Sequence, residues 1–172
     1  MAKKKPKPKA KAKPAKPKAA AKPKKAAGPK KTKDGAPAGW PTLSPFLTVR
    51  DGQKSVEFYA HAFGFQSTGM LMRDDEGHVV HAGMRLGEAA IMFGPEGSSN
   101  GLANRAEGTP DNQTLYVYVP DVDKVAARAE RAGATTVQPL THQYWGDRTV
   151  VLKDLDGYHW TFATHVGGPP PG

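Results

Sequence analysis

From Gly39 onward, apolar side chains recur at two spacings, and the switch between them divides the chain into elements. SPFLTVRD (44–51) is apolar and bounded by Pro45 and Asp51-Gly52, which predicts a strand. GQKSVEFYAHAFG (52–64) sets Val56, Tyr59 and Phe63 at helical spacing and stops at Gly64. The order then repeats. TLYVYVPD (114–121) reads as a strand and VDKVAARAERAGA (122–134) as a helix, with Val122, Val125, Ala126, Ala129 and Ala132 on one face. Asp121 suits its N-cap and Gly133 its end.

The two units correspond at an interval of about seventy residues: Val49 with Val119, Asp51 with Asp121, Gly64 with Gly133. Each helix is followed by three β-like runs. They are STGMLMRDD, HVVHAGMRLG and EAAIMFG in the first unit, and TTVQPL, RTVVLKD and YHWTFATH in the second. The pattern is an internal repeat of strand–helix–three strands, joined by PEGSSNGLANRAEGTPDN (95–112), a Gly-, Ser- and Asn-rich linker.

Charge changes the picture at the N-terminus. The 172-residue chain has a net charge of +9, but residues 1–33 hold fifteen lysines and no acid. The remainder has ten Lys and Arg against sixteen Asp and Glu, a net of −6. A basic tail (1–38) thus precedes an acidic body (39–168), and 169–172 reads as a flexible C-terminus. The tail is Lys/Pro/Ala-rich, and its self-repulsion and proline content predict disorder. In composition it resembles the tails of linker histones and some bacterial nucleoid proteins. Lysines such as Lys3, Lys4, Lys5, Lys24, Lys25, Lys30 and Lys31 would attract phosphate by counterion release. Without aromatics to stack on bases, they would contact DNA or another polyanion nonspecifically.

The absence of cysteine excludes disulfides, thiolate metal sites and cysteine nucleophiles. No apolar run approaches the roughly 18–20 residues of a membrane span, and no apolar segment follows the basic start as in a secretory signal. The expected location is cytoplasmic, with nucleoid association through the tail as one variant.

Three stretches together carry a family resemblance: PFLTVRDGQKSVEFYAHAFGF, LYVYVPDVDKVAARAERAGAT and WGDRTVVLKDLDGYHWTFATH. They resemble the vicinal oxygen chelate superfamily, which includes glyoxalase I, extradiol dioxygenases and bleomycin-resistance proteins. The nearest likeness is to its PhnB-like, glyoxalase/bleomycin-resistance branch. The resemblance implies an α+β fold of two tandem βαβββ modules (about 43–94 and 113–166) forming curved mixed sheets around a cavity, commonly in a homodimer.

Metal-dependent members take ligands from the first and last strands of each module. Those positions fall here on Ser44, Met92, Thr114 and Thr161, none a strong donor for a divalent ion. His159 and His165 share a strand face but lie about 20 Å apart at 3.3 Å per residue, so they cannot chelate one ion. His78 and His81 would face opposite sides of a strand. No metal or other cofactor is expected.

Alternation along the strands sorts the rest. Ser44, Phe46, Thr48, Ala90, Met92, Thr114, Tyr116, Tyr118, His159, Thr161 and Ala163 form one set. Leu47, Val49, Leu115, Val117, Val119, Trp160 and Phe162 form the complement, uniformly apolar as a helix-facing side should be. The first set would line a cavity for a planar or amphipathic organic molecule, unless its aromatics fill the space themselves. HQYWGDR (142–148) borders it, with Tyr144 and Trp145 as gating aromatics. Arg148 either forks onto a ligand carboxylate or phosphate or, with Asp147, holds the loop. His159 is the one candidate general base.

The leading expectation is a metal-independent, dimeric binder of a small organic molecule, as in sequestering antibiotic resistance. One alternative is a glyoxalase-type lyase, isomerase or oxygenase using His159 or an atypical metal. The other is a nucleoid-associated protein whose body dimerises while its tail holds DNA. The tail reading has a direct check: retention on immobilised DNA should fall steeply from low to moderate salt and vanish when residues 1–33 are deleted. Ligand affinity of the body should survive that deletion. Salt-independent retention would contradict the reading.

Overall fold

A computed structural model of the chain describes residues 35–37, 39–98, 102–104, 106 and 112–168. The tail lysines singled out above and residues 169–172 lie outside the described residues. The body is α+β, two βαβββ modules in tandem. In the first, β1 (Phe46–Thr48) leads to α1 (Gly52–Phe58), then to β2 (Gln66–Arg73), β3 (Val79–Leu86) and β4 (Ala89–Gly94). The second runs β5 (Leu115–Tyr118), α2 (Val122–Arg131), β6 (Thr135–His142), β7 (Asp147–Lys153) and β8 (His159–His165). Each module makes a four-stranded mixed sheet, ordered β1-β4-β3-β2 and β5-β8-β7-β6. β1 pairs with β4, and β5 with β8, in parallel; the other pairs are antiparallel. Among the described residues no helix is long and apolar enough to cross a membrane.

The repeat seen in the sequence is a repeat of local chemistry. Asp51 caps α1 by accepting from the Gln53 and Lys54 amides, and Asp121 caps α2 by accepting from the Lys124 amide. Past α1 the helix widens into one π-helical turn, Tyr59–Phe63. Gly64 ends it at φ 82°, a left-handed conformation that glycine adopts without a Cβ clash.

Both sheets turn their apolar faces to a single core. Leu47, Val49, Ala82, Met84, Ile91 and Phe93 come from the first, and Val119, Val150, Leu152, Trp160 and Phe162 from the second. Tyr59, Phe63 and the α2 residues Val122, Val125, Ala126 and Ala129 fill the space between. The Phe63 ring lies 4.8 Å from Phe162 and 5.2 Å from Trp160, so the first module's helix packs directly on the second module's sheet. Burying one such ring completely contributes about 1.5–3 kcal/mol. The helix-facing set expected from alternation occupies this core, with Leu115 and Val117 partly buried against it.

One turn, Asp154–Tyr158, ties the modules together by hydrogen bonds. Asp154 is buried, and its Oδ2 accepts from Tyr59 Oη and Trp160 Nε1, both at 2.9 Å. Its Oδ1 accepts from the amides of Asp156 (3.0 Å) and Tyr158 (2.9 Å). Burial outweighs these four donors and raises the Asp154 pKa above the usual carboxylate value. The Tyr158 hydroxyl both accepts from the Thr48 amide and donates to the Thr48 carbonyl, each at 3.0 Å, so one phenol serves the edge of β1 as a strand would. Asp156 accepts from the Arg50 amide at 2.9 Å and pairs with its guanidinium at 3.3 Å.

Asp154→Ala would strand two buried donors, Tyr59 Oη and Trp160 Nε1, and should lower the unfolding free energy by about 2–4 kcal/mol in urea titrations. Leu155→Ala, at a side chain 48% exposed in the same turn, should change it by about 0.5 kcal/mol or less.

Candidate functional site

With the apolar faces spent on the core, the second face of each sheet looks away from it. Strand alternation puts Thr114, Tyr116, Tyr118, His159, Thr161, Ala163 and His165 on this outer face of the second sheet, together with Asp147, Thr149 and Val151 of β7. The register carries the placement: Tyr116 lies opposite Thr161, and Asp147 opposite His165.

Asp147 is the hub of this face. It is 1% exposed, and its Oδ2 accepts from Tyr116 Oη (2.7 Å), Tyr118 Oη (2.8 Å) and Trp145 Nε1 (3.1 Å). Its Oδ1 lies 2.9 Å from His165 Nδ1. Donation from His165, then from Tyr116, lowers the Asp147 pKa to about 2 against the opposing effect of burial. An ionised carboxylate can only accept, so Nδ1 of His165 carries a proton. Burial, followed by the bond to Asp147, pushes Tyr116 up to about 12. Tyr118 is raised chiefly by its bond to the same carboxylate. Both phenols therefore remain protonated donors at neutral pH.

The loop before β7 brings the indole into this cluster. Gln143 and Asp147 close it through the Gln143 amide on the Asp147 carbonyl (2.7 Å), and Gly146 turns at φ 94°. Trp145 folds back over Asp147, with Tyr144 edge-on to it at 4.9 Å. The rings stay open: Tyr116 is 42%, Tyr118 63%, Trp145 40% and Tyr144 77% exposed.

The other expected residues separate into three places. Thr114 and Thr161 meet, hydroxyl to hydroxyl, at 2.9 Å, and Thr114 Oγ1 also donates to the carbonyl of the half-buried His159. Phe46, Thr48 and Met92 belong to the first sheet, where Phe46 lies opposite Met92. Thr48 is buried, with its backbone held by Tyr158. Arg148 turns to α2 and forks onto Asp123, Nε to Oδ2 at 2.8 Å and Nη2 to Oδ1 at 2.7 Å. A carboxylate of its own chain thus fills the geometry it would offer a ligand.

The first sheet's outer face is of different chemistry. His81 Nε2 touches Met70 Sδ at 3.1 Å, and its ring lies 5.7 Å from Phe46. Trp40 packs over Gly83, where a Cβ would come within 3.1 Å of the indole and 2.8 Å of Thr68 Oγ1. The segment is held further by Arg85, whose guanidinium donates to the Gly39 carbonyl. Among the described residues, clefts also lie elsewhere, including one of about 600 Å³ between Arg50, Gln53, Arg73 and His78 and one of about 310 Å³ between Lys54, Phe58, His61 and Leu155.

His165, His81, Met70 and Trp40 were not among the residues expected at the site, and Asp147 was expected only as a residue that holds the loop. Parity along β7 puts Asp147 on the face of Thr149 and Val151. That signal was present in the sequence, but it needs the β7–β8 register to point at His165.

A sequence model of the Glyoxalase/Bleomycin resistance protein/Dioxygenase superfamily matches residues 42–162. The chain belongs to this superfamily. Uncharacterised proteins of Mycobacterium bovis and Mycobacterium tuberculosis are each 35% identical to it over 131 residues, 73% of this chain and 84% and 75% of theirs. Among solved structures, TioX from Micromonospora sp. ML1 is 28% identical with TM-score 0.59, covering 73% of this chain and 100% of TioX. A glyoxalase/bleomycin resistance protein/dioxygenase family enzyme from Burkholderia phytofirmans PsJN is 24% identical with TM-score 0.59, covering 72% of this chain and 98% of that one. At that identity the second likeness is one of fold.

Metal-dependent members of the superfamily need oxygen and imidazole donors at four positions. Thr114 and Thr161 do come together as such a pair would, but they bring neutral hydroxyls, and Ser44 and Met92 bring a hydroxyl and a thioether. This donor set does not fit a hard or borderline divalent ion.

The depressed Asp147 pKa has a pH signature. Its contribution to stability is present above the usual aspartate value of about 3.9 and is lost as pH falls toward about 2. Urea titrations at pH 5 and pH 2.5 should show a smaller acid-induced loss of stability in Asp147→Asn than in the unsubstituted chain. An equal loss in both would show that Asp147 is not the group titrating.

Proposed function

We propose that the chain is a metal-independent binding protein for a small aromatic or amphipathic organic molecule, held on the outer face of the second sheet. One observation carries the reading. Three aromatic side chains converge by their polar tips on one oxygen of a buried, ionised carboxylate, which fixes the rings while leaving them exposed. Rings pinned in this way stack on a ligand at little further cost in rotamer entropy. Thr114 and Thr161 add hydroxyls beside them.

The two outer faces complement each other in chemistry but look away from one another within a chain, because both apolar faces are committed to the shared core. A homodimer would let the Phe46–Met92 face of one copy close the Tyr116–Tyr118 face of the other. The PhnB-like branch is the part of the superfamily in which we place the chain, on the three stretches quoted above. The basic tail would tether the assembly to nucleic acid or another polyanion.

Sedimentation equilibrium should give twice the 18.4 kDa chain mass. Planar aromatic amphiphiles should raise the melting temperature, and Trp145→Ala should weaken their binding about tenfold or more. A monomer that no such molecule stabilises would overturn the reading.

A further inference from the structure

We propose that the Tyr116–Tyr118–Trp145 platform selects organic cations, specifically alkylated ammonium groups without an N–H. This rests on the preceding reading that the outer face of the second sheet is the binding face, and it names the ligand chemistry that face prefers.

Charge balance is the starting point. Asp147 is ionised and buried, and the side chains that solvate it are two phenols, an indole and the imidazole of His165. Arg148, its neighbour in sequence, is committed to Asp123 through both arms of the guanidinium. The negative charge therefore sits behind a wall of aromatic rings.

Those rings are polarised by it. Each phenol and the indole donates its polar hydrogen to the carboxylate, which pushes electron density back into the ring and enriches its exposed face. The Tyr116 and Tyr118 ring centroids lie 5.4 Å apart with planes inclined at 56°, and Tyr144 stands edge-on to Trp145. Inclined aromatic faces over a buried anion make a receptor for a cation, which gains from the ring quadrupoles and from the charge behind them.

The hydrogen-bond inventory narrows the cation. Oδ2 of Asp147 already takes three donors and lies behind the rings, where an entering group cannot reach it. A primary ammonium or guanidinium would lose hydration at this face without gaining an acceptor to match. An alkylated ammonium has little hydration to lose and presents methyl groups to the ring faces.

The test compares choline with its neutral isostere 3,3-dimethyl-1-butanol, using the full chain and following the Trp145 indole N–H by NMR. Choline should bind about tenfold or more tightly. Tyr118→Leu, at a ring 63% exposed, should remove most of that advantage without unfolding the protein, and Asp147→Asn should bring the ratio near one. Equal binding of the two isosteres, with planar neutral aromatics still bound, would overturn cation selection and leave the proposed function standing. If the isosteres and the planar aromatics all fail to bind, both readings fall. Where Asp147→Asn does not fold, the Tyr118→Leu ratio decides.

Discussion

Asp154 lies buried between the phenol of the first module's helix and the indole of the second module's last strand. Four donors meet it there, two from side chains and two from the turn that it opens. The position of the modules relative to each other follows. Holding Tyr59 and Trp160 on one oxygen sets the helix against the second sheet, and the same turn delivers Asp156 to Arg50 and Tyr158 to β1. Once that junction is made, both apolar sheet faces are used up. The faces left over are then the ones available for binding.

The two modules share one geometry, and they differ most in chemistry on those leftover faces. In the first module the face carries Phe46, Met70, His81 and Met92, with Trp40 laid across Gly83. In the second, the corresponding strands carry threonines, tyrosines and Asp147. The core faces are alike in being apolar, because any polar residue there would meet the shared interior. Two surfaces with one backbone plan and contrasting chemistry are what a site built from unlike walls requires.

The elements and the core partition were legible in the sequence because they depend on short periods. Val56, Tyr59 and Phe63 mark a helix face, and the alternation of Trp160 and Phe162 with His159 and Thr161 marks a half-buried strand. Counting within the repeat put Thr114 and Thr161 on one strand face, while their hydroxyl contact is seen only in the structure. What escaped depends on contacts between distant positions. Arg148 finds Asp123 across 25 residues, and His165 finds Asp147 across 18, through a hairpin register that periodicity does not fix. The Trp40 contact arises from a stretch before the first strand that has no periodic pattern at all.

Asp147 and Asp154 each accept four hydrogen bonds, yet their pKa values move in opposite directions. At Asp154, enclosed by the aromatic core, burial wins and the pKa rises. Its contribution to stability is fully present below the unfolded value and is lost as pH rises through the folded one. At Asp147, on the outer face, the four donors win and the pKa falls, so its contribution is lost toward acid. Acidification therefore favours the junction while it undoes the hub. The aromatic platform, which depends on an ionised carboxylate to orient three rings, should loosen while the fold that carries it remains in place. A hub whose charge survives to about pH 2 holds its rings in place across the whole neutral range, and that persistence separates an oriented aromatic face from a loose aromatic patch.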